Sequence, residues 1–158
     1  MPIEAVIFDM DGVLVDSEKY WLLSRQEFAR ALGKEWSHAD QPFVMGVNTI
    51  EWARVMRERL CPEWSVEAVM EDVIARVIAH YDQQLPLRPG AVEAVHNATS
   101  AYKVALASGS PSRIINHVLE LTGLDQVFET VVYGDDMEHG KPAPDIYLET
   151  LRRLNVAP

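Results

Sequence analysis

The sequence contains a single cysteine, Cys61, in 158 residues. One thiol cannot form an intramolecular disulfide, so we expect a reducing, cytoplasmic location rather than that of a disulfide-stabilised secreted domain. No apolar run approaches the roughly 18 residues of a membrane span, and no basic segment followed by a long apolar stretch opens the chain. We therefore expect neither a membrane span nor a signal peptide. Internal repeats and low-complexity segments are also absent.

Positive charge is scarce. The chain has 14 Lys and Arg residues against 24 Asp and Glu residues, which gives a formal net charge of −10. This balance argues against nucleic acid and anionic membrane surfaces as partners. Apolar residues make up 48% of the chain and charged residues 24%, as in ordinary globular proteins. The length suits one domain, or a small domain with an insertion.

Hydrophobic periodicity predicts a strand, three helices and then an alternation of helices and strands. We predict strands at 3–8, 103–107 and 128–134, and helices at 17–32, 49–60, 65–84, 91–100, 111–122 and 145–154. Ser17, Ser65 and Ser110 are the predicted N-caps of three of these helices. The order predicts an α/β core with a parallel sheet, built from residues 1–15 and 86–158, and a helical insertion at 16–85.

Polar clusters follow each predicted strand. Asp9 and Asp11 follow the first strand, Ser108-Gly109-Ser110 follows the second, and Lys141 lies in the loop after the third. Ligands of open α/β sheets bind beyond the carboxyl ends of the strands, so we expect these residues to meet. Alone, each has an ordinary interpretation as a turn, a helix cap or a surface lysine. Their occurrence in this order favours a functional site.

The chemistry that this set suits is phosphoryl transfer. A carboxylate such as Asp9 can attack phosphorus, and Asp11 is placed to move a proton. Two neighbouring carboxylates also begin a Mg²⁺ site. Ser108 offers a hydroxyl, Gly109 allows a backbone N–H to approach a phosphate, and the helix after Ser110 adds its positive end.

The segments "FDMDGVLVDSE", "ASGSP" and "GKPAPDIY" closely resemble the haloacid dehalogenase (HAD) superfamily. They are most similar to the branch with β-phosphoglucomutase, sugar-phosphate phosphatases and phosphoglycolate phosphatase. The resemblance implies a Rossmann-like parallel-sheet core with an inserted α-helical cap, and a Mg²⁺ cofactor. It implies that Asp9 is the nucleophile and a metal ligand, and that Asp11 is the general acid/base and a metal ligand through its backbone carbonyl oxygen. It also implies that Ser108 binds phosphate and that Lys141 steadies both nucleophile and phosphate.

We assign four further residues to substrate binding: Gly12, Glu18, Met45 and Gly109. Glu18 has a solvated first-turn acid as its alternative. Met45 is assigned because it can face the active site from the helical insertion. The resemblance places the specificity for the substrate in this insertion, whose sequence does not identify the substrate.

The sequence departs from the mutase in three positions. Where the resemblance to β-phosphoglucomutase implies a histidine, a lysine and an arginine, the sequence has Trp21, Met45 and Thr49. We therefore favour a Mg²⁺-dependent phosphatase that hydrolyses a small phosphorylated metabolite, a sugar phosphate or a phosphoglycolate-like compound, through an aspartyl-phosphate. A phosphosugar mutase is the alternative. For the full-length protein we expect a monomer.

A second departure concerns the metal site. The resemblance implies a further strand after "GKPAPDIYLETLRRLNV", ending in a pair of acids that complete the Mg²⁺ site, and the sequence stops at Pro158. Asp135 and Asp136 precede Lys141, so we predict a loop role for them instead. We expect either a fragment of a longer protein or a chain with weak phosphatase activity. An inactive HAD-like chain that binds phosphate or a partner is a further alternative.

Overall fold

The computed structural model describes residues 2–158. Its strands are β1 (Ala5–Phe8), β2 (Lys103–Ser108) and β3 (Thr130–Tyr133). Its helices are α1 (Glu18–Ala31), α2 (Thr49–Leu60), α3 (Val66–Gln83), α4 (Ala91–Thr99), α5 (Ser112–Thr122) and α6 (Asp145–Leu154). Two short 3₁₀ helices span His38–Phe43 and Gly134–Asp136. In the described part of the chain, no helix combines the length and the apolar character that crossing a bilayer requires.

The three strands form one parallel sheet in the order β1-β2-β3. Ala5 pairs with Lys103 and Ala105 pairs with Thr130, so all three carboxyl ends lie at the same edge. The α/β fold with a parallel sheet, predicted from the alternation of helices and strands, is confirmed. The central strand β2 is the most deeply buried, as is typical of a strand with helices on both faces.

The first strand is shorter than the predicted strand at 3–8 and is less buried than its apolar sequence suggests. It begins at Ala5, its residues are only half-buried, and Ile3 is 68% exposed. The reason is its position, because β1 pairs with β2 on one side alone among residues 2–158. Its last residue, Phe8, packs edge-on against Phe128, which anchors the end of the strand next to Asp9.

Helices α1 and α2 both pack on α3, and one continuous apolar core joins them to one face of the sheet. Helix α6 covers the opposite face, where Ile146 contacts Ala107 and Val132. The helical period of 49–60 predicts that Ile50 lies on the apolar face of α2, but Ile50 is 56% exposed. The capping box of Asn48 and Glu51 fixes the start of α2, and the helical period then turns Trp52, Ala53 and Met56 inward.

The predicted N-caps have different outcomes. Ser65 caps α3 as predicted, since its side chain accepts a hydrogen bond from the Ala68 N–H. Ser17 precedes α1 but makes no side-chain cap bond. Ser110 is not the cap of α5, because Pro111 occupies that position and the helix begins at Ser112. The hydroxyl of Ser110 is used elsewhere, in the site described below.

The segments that lead into α1 and out of α3 run side by side. The Asp16 N–H donates to the Pro86 carbonyl oxygen at 2.8 Å, and the Arg88 N–H donates to the Leu14 carbonyl oxygen at 2.8 Å. Two side-chain pairs also link α3 to α5, Arg113 with Glu71 and His117 with Asp82. The backbone bonds hold the start of α1 and the end of α3 next to the sheet, and the side-chain pairs hold α3 against α5. The division into a core of 1–15 and 86–158 and a helical insertion of 16–85 stays a prediction.

Candidate active site

Asp9 and Lys141 form an ion pair at the edge where the strands end. The Lys141 Nζ donates to Asp9 Oδ2 at 2.7 Å, and the Met10 N–H donates to Asp9 Oδ1 at 2.8 Å. Burial lowers the pKa of Lys141, but the hydrogen bond and charge of Asp9, with a smaller effect of Tyr147, outweigh it and raise that pKa above its ordinary value. The side chain of Lys141 is therefore protonated and paired with the Asp9 carboxylate. Lys141 orients one oxygen of that carboxylate and the Met10 N–H orients the other.

Asp11 lies in the tight turn that follows Asp9. Gly12 adopts a φ of +76° there, a conformation that side chains disfavour, and its N–H donates to the Val15 carbonyl oxygen at 2.8 Å. The Ser110 hydroxyl donates to Asp11 Oδ2 at 2.5 Å, whereas Asp11 Oδ1 is buried without a hydrogen-bond partner. A buried carboxylate oxygen without a partner is costly, so this atom is ready to accept a ligand.

The loop after β2 is held close to the loop after β3. A Cβ on Gly134 would lie 2.7 Å from Gly109 Cα and 3.2 Å from the Ser108 carbonyl oxygen, so no side chain fits there. The Ser108 side chain is fully buried, and its Oγ accepts a hydrogen bond from the Ser110 N–H at 3.2 Å. This bond shapes the loop and turns the Ser110 hydroxyl towards Asp11.

A cavity of about 450 Å³ opens over these residues. Seven residues that the sequence assigns to the site line it: Asp9, Asp11, Gly12, Glu18, Met45, Gly109 and Lys141. Ser108 does not line the cavity, although its neighbours Gly109 and Ser110 do. The roles of all eight residues stay predictions, while the structure brings seven of them to one cavity.

Two further residues of this cavity are Ser110, which the sequence placed near the site but only as a helix cap, and Arg25, which the sequence did not indicate. Arg25 lies on α1, and its guanidinium carbon is 5.1 Å from the ring centroid of Trp21 and 5.6 Å from that of Trp52. Burial lowers the pKa of Arg25 to about 10. The sequence feature that could have indicated Arg25 is its spacing of four residues from Trp21, which puts the two side chains one helical turn apart on α1.

Asp135 has a connecting role that its prediction as a loop residue did not include. Its Oδ1 accepts a hydrogen bond from the Thr49 hydroxyl at 2.7 Å, and its Oδ2 accepts one from the Ser112 N–H at 3.3 Å. The residue thus joins the start of α2 to the start of α5. Neither Asp135 nor Asp136 lines the cavity.

The donor atoms fit part of a magnesium site. Mg²⁺ prefers carboxylate and carbonyl oxygens, and Asp9 supplies a carboxylate at the edge where the strands end. Asp11, two positions later, can supply its backbone carbonyl oxygen, which leaves its buried Oδ1 free to exchange a proton. Among residues 2–158, no group of three or more His, Cys, Asp or Glu residues is arranged to hold a metal ion. Asp9 and Asp11 therefore fit the ion as part of its ligand set.

The chain is similar in sequence to known phosphatases. The chain is 36% identical over 156 residues to the phosphorylated carbohydrates phosphatase of Thermotoga maritima, an alignment that covers 98% of this chain and 72% of the relative. It is 33% identical over 159 residues to hexitol phosphatase B of Escherichia coli, covering 98% of this chain and 71% of that protein.

Solved structures share the fold. The β-phosphoglucomutase of Clostridium difficile superposes with a TM-score of 0.81 at 24% identity, covering 98% of this chain and 72% of the other. CbbY from Rhodobacter sphaeroides, in complex with phosphate, gives a TM-score of 0.82 at 23% identity, covering 99% and 75%. The model of the haloacid dehalogenase-like hydrolase family matches residues 3–158. With β1, β2 and β3 arranged as this fold requires and the family model matched almost throughout, the chain belongs to the haloacid dehalogenase-like hydrolase family.

Proposed function

We propose that this chain carries the active site of a Mg²⁺-dependent phosphatase that hydrolyses a small phosphorylated metabolite through an aspartyl-phosphate. The observation that carries the proposal is the Asp9–Lys141 pair at the floor of the cavity, with Asp11 beside it. The phosphatases of Thermotoga maritima and Escherichia coli described above support it. A sugar phosphate or a phosphoglycolate-like compound fits the cavity volume of about 450 Å³.

Asp9 is the nucleophile of the proposed reaction. One of its carboxylate oxygens attacks phosphorus, the bond from phosphorus to the ester oxygen breaks, and the phosphoryl group is then carried on the aspartate. Lys141 and the Met10 N–H orient the attacking carboxylate. The Asp9 carboxylate and the Asp11 backbone carbonyl oxygen would hold Mg²⁺, which would neutralise charge on the phosphoryl oxygens.

Asp11 moves the protons of both half-reactions. It donates a proton to the ester oxygen as the alcohol leaves, and it later accepts a proton from the water that attacks the aspartyl-phosphate. The second step restores Asp9 and releases inorganic phosphate. The Ser110 hydroxyl holds Asp11 in position for both transfers.

The helices α1 and α2 form the other wall of the cavity, and we propose that residues 16–85 act as a cap that selects the substrate. Trp21 packs edge-on against Trp52 with ring centroids 5.7 Å apart, and the Thr49 hydroxyl is bonded to Asp135. These positions therefore offer no proton-transfer or phosphate-binding group for a mutase cycle, which favours hydrolysis over isomerisation.

The test is release of inorganic phosphate from a panel of phosphorylated sugars, polyols and hydroxy acids. We expect Mg²⁺-dependent release that a chelator abolishes, and loss of nearly all turnover in Asp9→Asn. The matched control is Asp125→Asn, an exposed carboxyl of the loop after α5, which should keep the activity. Turnover by Asp9→Asn, or isomerisation without release of phosphate, would overturn the proposal.

A further inference from the structure

Helix α1 places an arginine in the wall of the cavity. Arg25 is only 5% exposed, yet it lines the same cavity as Asp9 and Lys141. Its guanidinium lies within cation–π distance of both Trp21 and Trp52. The two indoles restrict its position, so the guanidinium is already ordered before any ligand arrives.

The hydrogen-bonding capacity of this guanidinium is largely unused. Nη1 donates to Gln41 Oε1 at 3.2 Å, and the same oxygen accepts a hydrogen bond from Trp36 Nε1 at 3.1 Å. Nε of Arg25 is buried without any partner. A guanidinium carries several N–H donors in a rigid fork, so most of the donors of Arg25 remain available.

Its charge is also unmatched. Arg25 forms no ion pair with any carboxylate of residues 2–158, and its hydrogen-bond partner Gln41 is neutral. Burial lowers its pKa to about 10, which still leaves the side chain protonated at neutral pH. A buried charge without a counter-ion is costly, and an anion brought by a ligand offsets that cost.

We propose that Arg25 determines specificity by binding a second anionic group of the substrate, a carboxylate or a second phosphate, while the phosphoryl group to be transferred lies at Asp9. Hydroxyl groups would occupy the free N–H donors but would leave the charge unmatched. A carboxylate or phosphate would accept hydrogen bonds from the free N–H donors and would also neutralise the charge, because its oxygens match the planar fork of the guanidinium. This inference rests on the proposed function and names the substrate class within it.

The test measures binding to the Asp9→Asn variant by calorimetry, so that it does not depend on turnover. The probes are matched pairs: 6-phosphogluconate with sorbitol 6-phosphate, phosphoglycolate with ethylene glycol monophosphate, and fructose 1,6-bisphosphate with fructose 6-phosphate. The first two pairs test a carboxylate, and the third tests a second phosphate. In at least one pair, we expect the compound with two anionic groups to bind about tenfold more tightly than the compound with a single phosphate.

Three further variants in the same background separate recognition from packing. Arg25→Met should remove the preference within the pair, and Arg25→Lys should keep part of it because the charge remains. Arg76→Met, which removes a surface arginine paired with Asp72 on α3, is the control and should leave the preference intact. If Arg25→Met does not fold, the preference of the parent variant and the result for Arg25→Lys decide.

The outcomes distinguish the inference from the proposed function. Equal binding within every pair, or an equal loss for both members in Arg25→Met, would show that Arg25 serves only packing. If inorganic phosphate and all six compounds fail to bind, the proposed function fails as well. If inorganic phosphate and the compounds with a single phosphate group bind but no preference exists, the assignment of Arg25 alone is wrong.

Discussion

The Thr49 hydroxyl donates a hydrogen bond to Asp135 Oδ1 across 2.7 Å, although the two residues are 86 positions apart in the chain. Thr49 is the first residue of α2 and is buried, whereas Asp135 lies in the 3₁₀ helix that follows β3. The hydrogen bond therefore connects α2, in the wall of the cavity, to the loop that follows β3. It is a direct candidate for the interaction that holds this wall in place beside the strand ends.

Replacing Thr49 by valine should loosen this connection. A hydrogen bond to a partly exposed carboxylate contributes about 1 kcal/mol, so we expect KM to rise by up to about fivefold with little change in kcat. Steady-state kinetics and small-angle scattering of the variant measure the two consequences. The control is Thr99→Val, which removes a hydroxyl bonded only to the carbonyl oxygen of His96 at the end of α4. An unchanged KM would mean that other contacts hold the wall in place.

Replacing Gly134 by alanine should disturb the loops that border the site. The new Cβ would lie 2.7 Å from the backbone of Gly109, and backbone atoms cannot move aside as a flexible side chain can. We expect the free energy of unfolding to fall by about 1–3 kcal/mol, the usual cost of overpacking. Urea denaturation measures it. Gly140→Ala is the control, because its Cβ would meet no atom within 4 Å. Equal midpoints for both variants would contradict the close approach.

Replacing Ser110 by alanine tests the orientation of Asp11. Neither oxygen of Asp11 would then keep a side-chain partner, and we expect kcat to fall by roughly an order of magnitude while KM changes little. Single-turnover kinetics with a phosphatase substrate separate the chemical step from binding. Ser112→Ala is the control, since the bond from this residue to Asp135 uses its backbone N–H. A change in KM alone would assign Ser110 to substrate binding instead.

His139, at the rim of the cavity, should titrate above its ordinary pKa. The hydrogen bond from its Nδ1 to Asp145 and the charge of that carboxylate raise the pKa of His139, and the charge of Glu138 adds to this. A raised pKa means that the contribution to stability is complete below a pH of about 6.5 and is lost as the pH rises through the raised value. The contribution is small because the side chain is exposed.

NMR titration of the His139 ring checks this prediction. In Asp145→Asn the pKa of His139 should move back towards the ordinary value, because the charged acceptor is gone. The variant should also lose the small decrease in stability that we expect of the wild-type protein as the pH rises above about 6.5. A pKa of His139 that is the same in both proteins would show that the contact with Asp145 does not persist in solution.

Local sequence determined the elements and the residues at their ends. The predicted bounds of α2, 49–60, match the observed ones because the helical period lies within its own residues, and the structure adds a capping box of Asn48 and Glu51 at its start. The same holds for Asp9, which ends an apolar run, and for Lys141, which precedes a helix with a clear period. Such signals act over a few residues, so they can be read without knowledge of the fold.

Only the tertiary structure decided which side chains meet. The bond from Ser110 to Asp11 joins residues 99 positions apart, and it moved Ser110 from the predicted cap into the site. The packing of α1 and α2 on α3 placed Trp52 of α2 beside Trp21 and Arg25 of α1 and left the charge of Arg25 unmatched. The exposure of Ile50 and the contact of Thr49 with Asp135 depend on the same packing. Periodicity fixes the face of a helix, but the partner of that face is set by the arrangement of distant segments around a shared core.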